Sequence, residues 1–335
     1  MGTRLKPITE QVIVITGASS GIGLATAQEA ARQGARVVLA SRDSVDIQQA
    51  ADDIIAEGGK AVAVVADVGD QGSMEGLAQQ AIEAFGRIDT WVNNAGVSIY
   101  GLIDEVPLDD AHQLFRTNFW GVVHGSLAAL THLKKQGGAL INVGSELSET
   151  ALPLQGFYAA SKHAVKGFTD TLRMELHHEG APVSVSLIQP AAIDTPYPEH
   201  AMNYLGVEPT HMPPVYAPEL VADAILACAK SPHRNLRVGG AAKIFTALEK
   251  TAPGLADRMK ERTAFDGSRT SRPPKDDDTL YAPRPNDGRV HGRYEGHVAK
   301  SSLYTTAALH PLRTVLGAAA LGVGIAAVLH ARRSD

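Results

Sequence analysis

Seven short apolar runs, rich in β-branched residues, recur at residues 12–15, 37–39, 61–66, 91–92, 139–143, 183–188 and 236–238. Longer stretches with helical periodicity lie between them, among them residues 22–33, 74–85, 108–135 and 157–178. This alternation restricts the fold more than any other feature of the chain. A strand, a helix and a second strand close as a right-handed crossover, which makes the strands parallel. The runs are apolar throughout instead of alternating with polar residues, as strands covered on both faces must be. The expectation is an α/β protein with a doubly wound, parallel, seven-stranded sheet of nucleotide-binding type and helices on both faces.

The composition changes after Gly240. Residues 242–262 keep a helical pattern, and residues 266–297 are rich in Pro, Gly, Arg and Asp. Within them, Arg272-Pro273-Pro274-Lys275-Asp276-Asp277-Asp278 can form neither a helix nor a central strand. An extended segment that wraps or links is expected, with Tyr281, Tyr294 and Tyr304 as surface anchors. The chain thus divides into a catalytic sheet domain at 1–240, a helical then irregular extension at 241–310, and an apolar tail helix at 311–335. The apolar part of the tail, about 16 residues, spans roughly 24 Å against a hydrocarbon core of about 30 Å. Arg313, Arg332 and Arg333 could bridge part of that difference by snorkelling. A membrane anchor and a helix docked on protein both stay open.

Charge narrows the partners. The formal net charge is −5, but residues 241–335 carry 15 Lys+Arg against 10 Asp+Glu, which leaves −10 on residues 1–240. An acidic core of this kind gives no reason to expect a nucleic acid ligand. Cys228 is the single cysteine, so no intrachain disulfide can form, and a reducing, cytoplasmic interior is expected, with membrane association only through the tail. Cys228 falls in an apolar helical pattern and reads as a core residue. No apolar leader precedes the first strand. The histidines show no ligand spacing with Cys, Asp or Glu, so no metal is expected.

The chemistry is carried by two groups of residues. Thr16-Gly17-Ala18-Ser19-Ser20-Gly21-Ile22-Gly23 follows the first strand and opens a helix. The N–H groups at a helix N-terminus stabilise a pyrophosphate; Gly17 allows the tight turn, Gly21 a close backbone approach, and Gly23 close helix–strand packing. The second strand ends in Ser41-Arg42 where an acidic residue would favour NAD, and a guanidinium suits the 2′-phosphate of NADP, so NADP(H) is favoured over NAD(H). Further on, Tyr158 and Lys162 lie four residues apart, thirteen or more residues after Ser145. Residues i and i+4 share a helix face. An ammonium beside a phenol is expected to lower its pKa and let it act as an acid–base near neutrality. Together these residues suit hydride transfer at a carbonyl carbon with a proton moving on its oxygen.

In these motifs, their order and their spacing, residues 8–240 resemble the short-chain dehydrogenase/reductase family, in its NADP-preferring form with a C-terminal extension. Asn93-Asn94-Ala95-Gly96 is similar to the family's second glycine motif, and Asp67-Val68 to its adenine-contacting pair. The segment after the sixth strand is matched by Pro190, Ile193 and Thr195, with Ala191 where the family usually has glycine. The resemblance implies a Rossmann fold and a catalytic set of Asn118, Ser145, Tyr158 and Lys162. It implies cofactor contacts from Gly17, Ser19, Ser20, Gly21, Ile22, Gly23, Ser41, Arg42, Asp67, Val68, Asn94, Ala95, Gly96, Tyr158, Lys162, Pro190, Ile193 and Thr195. It further implies a homodimer or homotetramer assembled through the helices at 108–135 and 157–178. Residues 191–217, which follow the sixth strand and contain Tyr197, Met202, Tyr204 and Met212, form the expected substrate lid, and their character points to a fairly apolar carbonyl or alcohol. Glu146 either faces away or lines the pocket mouth. The function expected is an NADP(H)-dependent alcohol/carbonyl oxidoreductase; the alternative is a catalytically vestigial NADP-binding regulatory or scaffold protein.

Overall fold

In the computed structural model, which describes residues 4–240, 248–249, 251–275, 277–284, 286–309 and 314, all seven expected runs are strands of one sheet. In chain order the strands are β1 (Val12–Thr16), β2 (Arg36–Ser41), β3 (Lys60–Val65), β4 (Thr90–Asn93), the short β5 (Ile99–Tyr100), β6 (Gly138–Val143) and β7 (Val183–Pro190). The short β8 (Ala192–Ile193), β9 (Met202–Asn203) and β10 (Val215–Tyr216) follow, then β11 (Asn235–Val238) and β12 (Val298–Ala299). The main sheet runs β11-β7-β6-β4-β1-β2-β3, and every pairing in it is parallel. Strand order reverses between β1 and β4, so a crevice opens beyond their carboxyl ends.

Alternate residues of β1 explain why the run is apolar throughout. Ile13 and Ile15 pack on one face against α1 (Gly21–Arg32), α2 (Ser44–Ala56) and α8 (Pro218–Lys230), the helix that follows the short α7 (Tyr197–His200). Val12 and Val14 pack on the other against α3 (Gln71–Phe85), α5 (Gly121–Gln136) and α6 (Gly156–His178). Cys228 is fully buried in the first layer, and burial pushes its thiol up to about 12. α2, which had no counterpart among the expected helices, is started by Asp43, whose carboxylate accepts from the N–H groups of Val45 and Asp46 at 2.8 and 2.9 Å.

Two helical expectations are corrected. The stretch at 108–135 is α4 (Leu108–Phe115) and α5 joined by a π-helical turn, Arg116–Trp120, that contains Asn118. The helix expected over 242–262 cannot run through Pro253, whose ring and missing N–H break a helix interior. Proline instead takes the start of a new helix, Pro253–Gly267. The described residues from 268 to 297 are largely irregular, as expected for most of 266–297. They return to the domain where β12 pairs in parallel with β10, and β10 in turn with β8. The apolar tail expected at 311–335 lies outside the described residues except for Thr314; among the described residues no helix is long and apolar enough to cross a membrane.

Candidate active site

The glycine turn has a shape that side chains would destroy. Gly17 has φ +64°, and a Cβ there would come within 2.7 Å of the Ala95 Cα. A Cβ on Gly23 would stand 2.1 Å from the Gly17 carbonyl oxygen. Thr16 and Asn94 lock this turn to the end of β4: Thr16 Oγ1 accepts from the N–H groups of Asn94 and Ala95, and Asn94 Nδ2 donates to the Thr16 and Gly17 carbonyls. The result is a backbone cradle at the N-terminus of α1, which fits a dinucleotide pyrophosphate. Gly17, Ser19, Ser20, Gly21, Ile22, Ser41, Arg42, Asp67, Val68, Asn94, Ala95, Gly96 and Thr195 line one cavity of about 210 Å³ at this end. Gly23 packs behind the turn and does not line it.

Arg42 is not a free surface arginine. Its Nη2 donates to the Thr279 carbonyl at 2.6 Å, and its Nη1 to those of Tyr281 and Leu280 at 3.2 and 3.4 Å. Carbonyls orient the guanidinium without neutralising it. Asp67 accepts from the N–H of Gly69 and pairs with Arg116 at 2.9 Å.

The second group of residues converges next to the first. Ile22, Asn94, Gly96, Ser145, Tyr158, Lys162, Pro190, Ile193 and Thr195 line a cavity of about 570 Å³ that shares several residues with the smaller one. Ser145 lies two residues beyond β6, and Tyr158 and Lys162 lie one turn apart near the start of α6; all three are buried. The lowering expected for Tyr158 is corrected: burial raises its pKa, hydrogen bonds with the Ser145 and Tyr197 hydroxyls oppose this, and the Glu146 charge adds to it. Lys162 does not enter this balance, because its ammonium donates to the Val143 carbonyl at 3.0 Å. Desolvation brings Lys162 down to about 8.

Asn118 stands behind both cavities, fully buried. Its amide exchanges two hydrogen bonds with the backbone of Val97, at 2.8 and 3.0 Å, and donates a third to Ser161 Oγ. Ala191 takes no positive φ, so alanine at this place carries no strain. Glu146, left open between two orientations, lines the larger cavity, where desolvation raises its carboxyl to about 7.

Several residues here had no role from sequence. Tyr197, within the expected lid, sets its ring edge-on to Tyr158 at 5.5 Å and donates to Ser98 Oγ at 2.7 Å. His211 stacks on Tyr197 at 6.1 Å; burial holds its pKa down at about 4, so it is a neutral wall. Lys260 and Thr263, from the helix Pro253–Gly267, close the far side of the same cavity. Tyr197 and His211 at least fall after a strand end, where ligand loops gather. Nothing local marks Lys260, since its place depends on how the C-terminal segment folds back.

Known proteins similar to this chain share its fold class. The short chain dehydrogenase family profile matches residues 11–203. An uncharacterized oxidoreductase of Bacillus subtilis (strain 168), YxnA, is 42% identical over 338 residues, covering 98% of this chain and 93% of the relative. The 11-beta-hydroxysteroid dehydrogenase-like 4A of Arabidopsis thaliana is 39% identical over 189 residues, 56% of this chain and 62% of its own length. Among solved structures, a short chain dehydrogenase/reductase from Burkholderia phymatum in complex with NAD has a TM-score of 0.68 at 26% identity, over 81% of this chain and 99% of that one. The alcohol dehydrogenase from the archaeon Thermococcus sibiricus, complexed with 5-hydroxy-NADP, has a TM-score of 0.61 at 27% identity, over 68% and 95%.

Proposed function

The chain belongs to the short-chain dehydrogenase family, and on that premise we propose that it is an NADP(H)-dependent oxidoreductase interconverting an alcohol and a carbonyl, with Tyr158 as general acid and base. The observation that carries this reading is the convergence of Tyr158, Ser145 and Lys162 in one cavity that adjoins the glycine-turn cradle. A bound nicotinamide cofactor supplies or accepts the hydride. Tyr158 gives the proton to the substrate oxygen in reduction; its raised pKa keeps the phenol protonated, which is the form that donates. Ser145 Oγ donates a hydrogen bond to the same oxygen and orients it. Lys162, with its ammonium against the Val143 carbonyl, holds positive charge under the site and would hold the nicotinamide ribose. Both amide hydrogens of Asn118 are spent on Val97 and Ser161 and its Oδ1 accepts from Val97, so Asn118 would act by holding these residues behind the site.

Arg42, which pairs directly with no carboxylate among the described residues, supports NADP(H) over NAD(H). One observation favours NAD(H): Asp43 Oδ2, at the edge of the same cavity, is buried with no hydrogen bond among the described residues and could accept one from a ribose hydroxyl. Arg42 outweighs it because Asp43 is already committed through Oδ1 to capping α2. Leu147, Leu152, Tyr197 and Met212 in the larger cavity support a fairly apolar substrate, as does the hydroxysteroid in the name of one relative. Exposed Trp120 and Leu127, with Met174 on α6, support a homodimer or homotetramer built on these helices.

The test is purified protein with NADPH and a panel of apolar ketones and aldehydes, followed at the nicotinamide absorbance. Turnover that Tyr158→Phe abolishes is the expected result. Tight NADPH binding with no turnover across the panel would sink the catalytic reading.

A further inference from the structure

We propose, resting on the NADP(H) reading above, that residues 279–284 are a wall of the cofactor site and that Arg284 is a second cation there, beside Arg42, for the phosphate on the adenosine ribose. Thr279, Pro283 and Arg284 line the same cavity as Arg42 and the glycine turn, although more than two hundred residues separate them in sequence. Arg284 is mostly buried. Its Nη2 pairs with Asp277 at 3.0 Å, whereas its Nη1 is buried and makes no hydrogen bond among the described residues, with Asp287 3.6 Å away. A guanidinium N–H without an acceptor at a cavity wall is poised for one, and phosphate oxygens match guanidinium donors in charge and in planar, two-pronged geometry.

Two of the carboxylates nearby, Asp46 and Asp287, are already engaged. Asp46 accepts from the N–H groups of Asn286 and Asp287, at 3.1 and 2.9 Å. Asp287 bonds to His200 and Arg289, at 2.8 and 2.6 Å. Those contacts also fix the segment to both sides of the cleft. The Arg289 carbonyl accepts from the N–H of Gly21 at 3.0 Å, and the Tyr281 hydroxyl donates to Asp110 at 2.6 Å. A segment held so closely against Arg42 is built into the site, and Arg42 is positioned by its carbonyls.

The experiment is fluorescence titration of the full chain with NADPH and with NADH, in the parent, Arg284→Gln and Arg284→Lys, each checked for a parent-like thermal transition. Arg284→Gln is expected to raise the Kd for NADPH about tenfold or more and that for NADH less than about twofold. Arg284→Lys, which keeps the charge, is expected to recover most of the loss. An unchanged NADPH affinity in Arg284→Gln, or an equal loss for both coenzymes, overturns the role of Arg284 while a parent preference for NADPH leaves the cofactor reading intact. A parent that binds NADH at least as tightly as NADPH overturns both.

Discussion

The Lys162 ammonium stands 5.7 Å from the centroid of the Tyr158 ring and is bonded to the Val143 carbonyl, not to the phenol. The two side chains share a helix face, as their spacing requires. Yet the contacts of the Tyr158 hydroxyl are the hydroxyls of Ser145 and Tyr197. The phenol thus belongs to a chain of hydroxyls running Tyr158, Tyr197, Ser98. Lys162 lies beside the ring, and its ammonium is held by the Val143 carbonyl.

Replacing Tyr158 with Phe removes the proton donor and one ring hydroxyl from this chain. The expected result is a fall in kcat of about 10²–10⁴ with NADPH affinity kept. Initial rates and a cofactor titration on the same preparation measure the two quantities separately. A parent-like rate on a good substrate would exclude Tyr158 as the acid.

Gly23→Ala places a methyl group 2.1 Å from the Gly17 carbonyl, a contact that only displacement of the turn can relieve. Cofactor affinity is therefore expected to fall by about tenfold or more if the turn is the pyrophosphate site proposed above. Isothermal titration with NADPH reads this directly. Unaltered affinity would mean that the cradle is not the phosphate site.

Glu146 gives the protein a pH dependence with a definite sign. Desolvation raises its carboxyl from 4.5 to about 7, so the folded chain holds this proton more tightly than the unfolded one. Its contribution to stability is complete below about pH 4.5 and is lost as pH rises through about 7. At pH 8 the loss is at most about 3 kcal/mol, less where water in the cavity reaches the half-buried carboxyl. Glu146→Gln should gain in melting temperature relative to the parent between pH 5 and pH 8. A gap between the two proteins that stayed constant over that range would refute it.

Cys228 should be silent. It is fully buried and its thiol is pushed up to about 12, so almost no thiolate exists near neutrality. A thiol reagent is expected to leave the native protein unmodified and to label one site only in denaturant. Stoichiometric labelling of the native form would show that the layer of α1 and α8 opens.

What was legible in the sequence follows from range. Each sheet strand is a local run of β-branched residues, and the glycine turn and the Tyr158–Lys162 pair are local spacings, so the strands and the approach of these side chains could be read directly. The π-helical turn at Asn118 could not, because one extra residue in a turn leaves no mark on an apolar period of this length. Pro253 was a visible stop signal, and extending a helix through it was an error of weighting. Arg42 could be placed at the end of β2, but its partners are carbonyls of Thr279, Leu280 and Tyr281, from a segment without periodicity. Backbone carbonyls carry no residue signature. For the same reason neither Lys260 nor Arg284 could be assigned to a cavity before the fold was known.

The late return of β12 to β10 sets an order on synthesis. A nascent chain that has just released β11 from the ribosome owns every strand of its main sheet, and its crevice still lacks a roof. Lys260, Thr263, Thr279, Pro283 and Arg284, which line the two cavities, are translated afterwards, so neither cavity has its full lining until these residues have been made. A premature stop in that interval would yield a chain with its sheet strands intact and an unsealed cleft.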